Sequence, residues 1–499
     1  MSRRIVGKVR IRGDLVAQTP ISVGGLGAGE HVDLDVAVDG AGRFYIPGTS
    51  LAGPMRAWLS ENVESEKLLD ELFGFIEQTG DGGQASSLFV EDSPAQDSVR
   101  ERRHGIALRE DTGTVADGFF YTRGLLPRGT RFPLEMELDI HEAPRAGSEH
   151  PAGALAPLLR ALSGGEIRFG ACKTRGMGEL RLEDLRVDCY DFARDPGGAL
   201  DLDRWLTSDS SSEARESLGL EQELKALERF GTPKRRERRL LEILIHWRAL
   251  SPVMVKAGRD GVEADMLPLM SGVEGAKGAA GGIAPVLPGS SVKGALRAQA
   301  RRILHTLFDP NGENASEKPE YLDLLDALFG STEWAGRLSV DDIYYRPEAP
   351  VSPDAWLKEE AGALNAVTER HQHVAIDRFT GGASEGALYS ARPVKRDEGE
   401  RESGWEPIRL ALDLSDFPEA EERAALALLK LLIRDLEDGY ISIGFGSRRG
   451  MGEIAVKGVD WDAGFPAEEK LQTAWDAFVE RGGTFRLPQI PKEEAKHSV

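Results

Sequence analysis

The chain has 499 residues, 40% of them hydrophobic and 29% charged, with a net charge of −21 and two cysteines. That length exceeds one ordinary core and implies two or more domains. Cys172 and Cys189 alone exclude a disulfide framework and leave no CxxC pair for a thiolate zinc site, and the acidic balance argues against indiscriminate nucleic-acid binding over the whole surface while permitting a local basic groove.

In chain order, MSRRIVGKVRIRG reads as a strand and not as a signal peptide. No apolar run approaches the roughly 18 residues of a membrane span, so a cytoplasmic protein with no membrane contact is expected. The strand VAQTPISVG and an acidic loop, EHVDLDVAVDGAGRFYIPG, come next. A Pro-Gly turn then opens the helix AGPMRAWLSENV. After IALREDTGTVADGFFY and the helix AGALAPLLRALSGG, the glycine-rich loop FGACKTRGMGELRL closes the series. The Pro, Gly, Ser and charge content of DPGGALDLDRWLTSDSSSEARESLG predicts a linker. The helix LEQELKALERF, the basic run KRRERR and the strand LLEILIHWRAL follow it.

From there the series begins again. RALSPVMVKAG repeats the opening strand at an offset of 232, LPGSSVKGALR repeats IPGTSLAGPMR at 241, VAIDRFTGGASEGALY repeats IALREDTGTVADGFFY at 268, and FGSRRGMGEIAV repeats the closing loop. RGMGE lies 274 residues on, and matching FG to FG requires two extra residues in the first copy. Four matches in one order identify a tandem duplication, divided as 1–190, a linker with a helix and a basic run at 191–239, 240–456, and a C-terminal helix and tail at 457–499. The growing offsets point to longer insertions in the second copy, at 259–282 and around 390–408. A helix early and a helix late among strands predicts an α+β fold with a ferredoxin-like split βαβ core in each half.

Thr49 or Ser50 is expected to cap the helix after the turn, with close packing at Gly53. Free amides at that helix start, hydroxyls and a following arginine also suit a phosphate, which nominates Ser50 and Arg56, then Ser290, Ser291, Lys293 and Arg297, as phosphate-backbone-binding residues. The glycine-rich loops add Lys173, Arg175, Arg448 and Arg449, positive charge concentrated within an acidic protein. Neither loop fits GxxxxGK[ST] or GxGxxG, which disfavours nucleotide hydrolysis and dinucleotide binding. His371 and His373 lack a matched third ligand and read as surface or hairpin-base histidines, and His104 occupies a similar place in the first copy.

The FGxxxxRGMGE loop, the PGSSxKGxxR helix start and the DRxTGxAxxGxLY segment, in this order, resemble the RAMP superfamily of CRISPR-associated proteins, especially the backbone subunits of type III effector complexes. The resemblance covers nearly the whole chain as two units and is closest in style to the type III-D branch, where such fusions occur. It implies RRM-like, ferredoxin-like domains with loop and thumb-hairpin insertions, the thumbs formed by IALREDTG and VAIDRFTG. The implied partners are a guide (CRISPR) RNA, a target RNA, other RAMP subunits and a large polymerase-like subunit. The family's target-cleaving aspartate falls on Asp33, with Asp35 beside it. In the second copy it falls on Asp265, within a lengthened loop, with Glu263 and Glu274 behind it. Asp33 and Asp265 are accordingly the expected catalytic and metal-holding residues, with Mg²⁺ or another divalent cation as cofactor. A non-catalytic RNA scaffold and a guide-processing endoribonuclease of the same superfamily stand as alternatives.

Overall fold

The computed structural model describes residues 4–25, 32–77, 82–109, 112, 114–142, 149–194, 198–207, 216–258, 261–273, 281–309, 319–346, 351–397 and 403–487. Glu274 lies outside them. The chain forms two units: residues 1–106, 117–173 and 177–237, and residues 107–116, 174–176 and 238–499.

In the first unit the core strands are β1 (Ile5–Ala17), β2 (Leu88–Val90), β5 (Arg131–His141) and β6 (Leu180–Asp191), in the sheet order β6-β1-β5-β2 with every neighbour antiparallel. Helix α1 (Gly48–Asn62) joins the first two strands, followed by α2 (Glu66–Phe73), and α3 (Leu155–Gly164) joins the last two. This is the βαββαβ order of a ferredoxin-like fold. The sequence specifies it by period. Val9, Ile11 and Leu15 fall on one side of β1 and are fully buried, while Leu51, Met55 and Leu59 repeat every four residues along α1 and meet them in one core. Between β2 and β5 stands a hairpin of β3 (Glu101–Leu108) and β4 (Val115–Leu125).

The opposite sheet face carries Lys8, whose Nζ lies 2.8 Å from Asp139, and Glu137, which accepts the indole N–H of Trp205 at 2.9 Å. Trp205 sits on α4 (Gly198–Thr207), and α5 (Leu220–Glu228) sends Leu224 and Leu227 into the first core. The 191–239 segment is therefore not a bare connector: it supplies two helices to the first unit.

The second unit repeats the plan. Its core strands are β7 (Leu240–Ala249), β10 (Leu338–Val340), β13 (Ile408–Asp413) and β14 (Ile454–Trp461), in the order β14-β7-β13-β10. Strands β8 (Met270–Val273) and β9 (Gly282–Leu287) form a hairpin before α6 (Gly289–Phe308) and α7 (Leu322–Phe329). Helices α8 (Pro353–Leu357) and α9 (Ala361–Val367) precede the short pair β11 (His371–His373) and β12 (Tyr389–Ala391), and α10 (Glu419–Glu437) precedes β14. Val292, Leu296, Ala300 and Leu304 give α6 the same four-residue apolar stripe as α1. The C-terminal helix α11 (Glu468–Glu480) belongs to this core through Leu471 and Phe478. Among the described residues no helix is long and apolar enough to cross a membrane.

Candidate active site and nucleic-acid interface

The closing loops correct the predicted alignment. Phe169 donates its amide to Gly178 and Gly178 to Pro20, at 2.8 and 2.9 Å; in the second unit Ile443 donates to Gly452 and Gly452 to Pro252, at 2.9 and 3.0 Å. Phe169 is thus matched by the equally buried Ile443, not by Phe445, and the offset of 274 holds through the whole loop with no insertion. Gly170 and Gly444 share positive φ values of 74° and 90°, and a Cβ on either would lie 2.4 Å from a carbonyl oxygen, that of Ser22 or Met254. The loops therefore close through their glycines onto the end of the opening strand. Lys173 and Arg175 stand exposed on the turn of one loop, and Arg448 and Arg449 on that of the other.

The Pro-Gly helix starts differ from expectation. Pro47 and Pro288 occupy the caps, and neither Thr49 nor Ser50 makes a capping bond. The first amide of each helix is instead taken by a carboxylate: Gly48 donates to Asp92 Oδ1 at 2.8 Å and Gly289 to Asp342 Oδ1 at 2.9 Å. Gly53, predicted to be packed, has open space where a Cβ would go, as does Gly294. Three of the nominated RNA-binding side chains are engaged by groups of the protein itself. Lys293 is 5% exposed and donates to the Leu338 carbonyl at 2.7 Å, and burial above all lowers its pKa to about 7. Its ammonium is thus turned into the protein and bonded there. Arg56 donates to the Gly74 carbonyl at 3.1 Å and lies 3.4 Å from Asp70; Arg297 repeats this with the Gly330 carbonyl and with Asp326, 3.3 Å away. Each arginine binds the C-terminal end of the next helix, α2 or α7. Ser290 is exposed, and Ser50 and Ser291 are half-buried.

The two aspartates occupy equivalent positions. Gly24 bridges Val36 and Lys256 bridges Pro268; Leu34 bridges Arg123 and Met266 bridges Ala391. Both members of each pair are displaced by the offsets of 232 or 268. The extra length of the second loop consequently lies after Asp265, in the β8–β9 hairpin, and not before it. Asp33 accepts the Thr122 amide on Oδ2 at 2.7 Å, and Asp265 accepts the Ser390 amide on Oδ2 at the same 2.7 Å. Both aspartates are exposed. The backbone bond from Ser390, reinforced by the Ser390 hydroxyl at 3.0 Å, holds the Asp265 carboxyl below the usual carboxylate range. Asp35 is committed elsewhere, pairing with Arg100 and accepting the Val36 amide. Glu263 is exposed, and its amide is held at 2.6 Å by the buried carboxylate of Glu359, which also takes the Val262 amide at 2.7 Å.

Around these carboxylates lie Thr122, Phe120, Ser390 and Tyr389, which sequence reasoning passed over, together with the histidines it had singled out. Thr122 Oγ1 is 3.0 Å from His104 Nδ1, and the imidazole stacks on Phe120 at 5.0 Å. In the second unit Arg449 bonds the Tyr389 hydroxyl and lies over the Tyr389 and Phe445 rings. Tyr389 also stacks on His373 at 4.9 Å, and His371 binds Glu369 at 2.7 Å. Thr122 and Ser390 were findable, since both directly follow the tyrosine that the repeat aligns. Of the carboxylates that hold amides, Asp92 and Asp342 close the segments LFVED and LSVDD, a repeat at an offset of 250 that could have found them, whereas Glu359 carries no such signal. Among the described residues no three His, Cys, Asp or Glu side chains converge on a point that could hold a metal ion.

No curated protein matches the chain. The family model of the RAMP superfamily matches twice, over residues 14–181 and 248–455, one match on each copy of the ferredoxin-like core and its aspartate. Together the matches span more than half of the sequence, and the chain belongs to the RAMP superfamily of CRISPR-associated, RNA-binding proteins.

Proposed function

We propose that this chain is a fused double backbone subunit of a type III CRISPR effector complex, which holds a guide RNA and cleaves the paired target RNA at Asp33 and Asp265. The observation that carries the reading is the duplicated carboxylate: two exposed aspartates, each held through Oδ2 by a strand amide at 2.7 Å. A carboxylate oriented in this way suits a phosphodiester whose neighbouring 2′-hydroxyl attacks it. The donor set suits a hydrated Mg²⁺, which is commonly bound by one or two carboxylates plus phosphate oxygens and keeps several waters. Asp33 or Asp265 would be its protein ligand, and the ion would neutralise phosphate charge. The exposed loop cations Lys173, Arg175, Arg448 and Arg449 would hold the RNA backbone, base pairing carrying the sequence. A large polymerase-like subunit and other RAMP subunits would complete the assembly.

The test is target-RNA cleavage by the guide-loaded assembly, with product ends mapped for wild type, Asp33→Ala, Asp265→Ala and the double variant. Loss of one distinct cut in each single variant is expected. Unchanged products in all four would leave the chain an RNA scaffold. Cutting of hairpin precursor RNA by the isolated chain would favour guide processing.

A further inference from the structure

Resting on the reading of Asp33 as a cleavage residue, we propose that His104 is a second catalytic residue of the first site, the acid that protonates the leaving oxygen, and that the second site has no counterpart. Thr122 carries the argument. Its amide holds Asp33 Oδ2 at 2.7 Å while its hydroxyl lies 3.0 Å from His104 Nδ1. One residue therefore sets the position of both a carboxylate and an imidazole. The ring is exposed yet doubly restrained, by this bond and by the Phe120 stack. With Nδ1 donating to the Thr122 hydroxyl in the imidazolium form, Nε2–H is the proton it has to give.

Among the described residues the second unit keeps the carboxylate and has no imidazole in the equivalent place. The Ser390 hydroxyl turns onto Asp265 itself, at 3.0 Å, and the residue facing Ser390 in the β11–β12 ladder is Gln372, which cannot donate a proton and recover it. His373 is engaged on Tyr389 and His371 on Glu369.

In the step assigned to His104, the 2′-oxygen attacks phosphorus and gives its proton to water. The new O2′–P bond forms as the P–O5′ bond breaks, and the electron pair left on O5′ takes the Nε2 proton. The products are a 2′,3′-cyclic phosphate and a 5′-hydroxyl, and His104 recovers its proton from water. General acid catalysis of this kind contributes about 10²- to 10⁴-fold.

The experiment compares wild type and His104→Gln in the guide-loaded assembly, on an all-oxygen target and on one with sulfur in place of the 5′-oxygen at the first cut. Sulfur departs as a thiolate without being protonated. Expected is a loss of about 100-fold or more at the first cut with oxygen, recovery to near wild-type rate with sulfur, and an unchanged second cut, which reports that the variant is folded and loaded. An unaffected first cut with oxygen, or a loss that sulfur does not restore, overturns the assignment of His104 alone. Absence of the first cut in wild type, or its persistence in Asp33→Ala, overturns the reading of Asp33 and this assignment with it.

Discussion

Asp92 accepts the amide of Gly48 at 2.8 Å, so the first donor of helix α1 already has its anion within the domain. Asp342 does the same for Gly289. The recurrent Pro-Gly pair is thus explained by local packing: a Cβ on Gly48 would lie 2.1 Å from the Val90 carbonyl oxygen, and on Gly289 2.0 Å from that of Val340. The second glycine of the motif, Gly53 or Gly294, has no such reason.

Gly48→Ala and Gly289→Ala should therefore cost several kcal/mol and abolish soluble folded protein, because a backbone carbonyl cannot move aside. Gly53→Ala and Gly294→Ala should stabilise the free protein by about 0.5–1 kcal/mol, the usual helical gain. If RNA backbone approaches these bare positions, the same two variants weaken guide binding. Thermal unfolding together with guide-RNA titration separates the two effects, and unchanged binding would remove this helix face from the interface.

Arg56→Ala and Arg297→Ala should each lower stability by about 1 kcal/mol, since each leaves a helix-terminal carbonyl and an aspartate without their partner. The salt dependence of guide binding should stay the same. Were either arginine a phosphate ligand, its removal would reduce the slope of log affinity against log salt by about one. Chemical denaturation and binding at several ionic strengths provide both readings.

Lys293 links stability to pH. Its folded pKa of about 7 lies below the ordinary lysine value of 10.5, so between those limits the unfolded chain binds the extra proton and stability rises with pH. Relative to Lys293→Met, the wild type should gain up to about 1.4 kcal/mol per pH unit from just above pH 7 toward 10. Below pH 7 both folded and unfolded lysines are charged and the difference should level off. Parallel denaturation curves at pH 6, 7, 8 and 9 measure it, and a flat difference throughout would show that the amine stays charged when buried.

Glu359 is expected to bear on the proposed second site alone. Its buried carboxylate takes the amides of Val262 and Glu263, just upstream of Asp265. Glu359→Gln leaves one acceptor oxygen for two amides and should loosen that loop, lowering the second cut by roughly tenfold with the first unchanged. Equal effects on both cuts would mean a general loss of stability.

The duplication and the ferredoxin-like order of strands and helices were legible in the chain because they rest on period and repetition, and the paired aspartates were reached through the family resemblance. Val9, Ile11 and Leu15 alternate along a strand, Val292, Leu296 and Ala300 recur along a helix, and one series of motifs occurs twice. Such features are local: apolar periodicity marks which side chains go inside, and repetition marks which positions correspond. The tasks of individual polar groups were not legible. That Lys293 faces inward, that Arg56 and Arg297 close a neighbouring helix, that Phe169 corresponds to Ile443 and not Phe445, and that Thr122 joins Asp33 to His104 were decided only in the tertiary structure. A hydrogen bond depends on where two distant backbones come to lie, and pairs such as Asp33 and Thr122 are 89 residues apart with no pattern in the chain between them. The burial that drives folding acts through side-chain type and spacing, which sequence records; the polar contacts that distinguish a site from a surface are settled by the geometry that burial leaves behind.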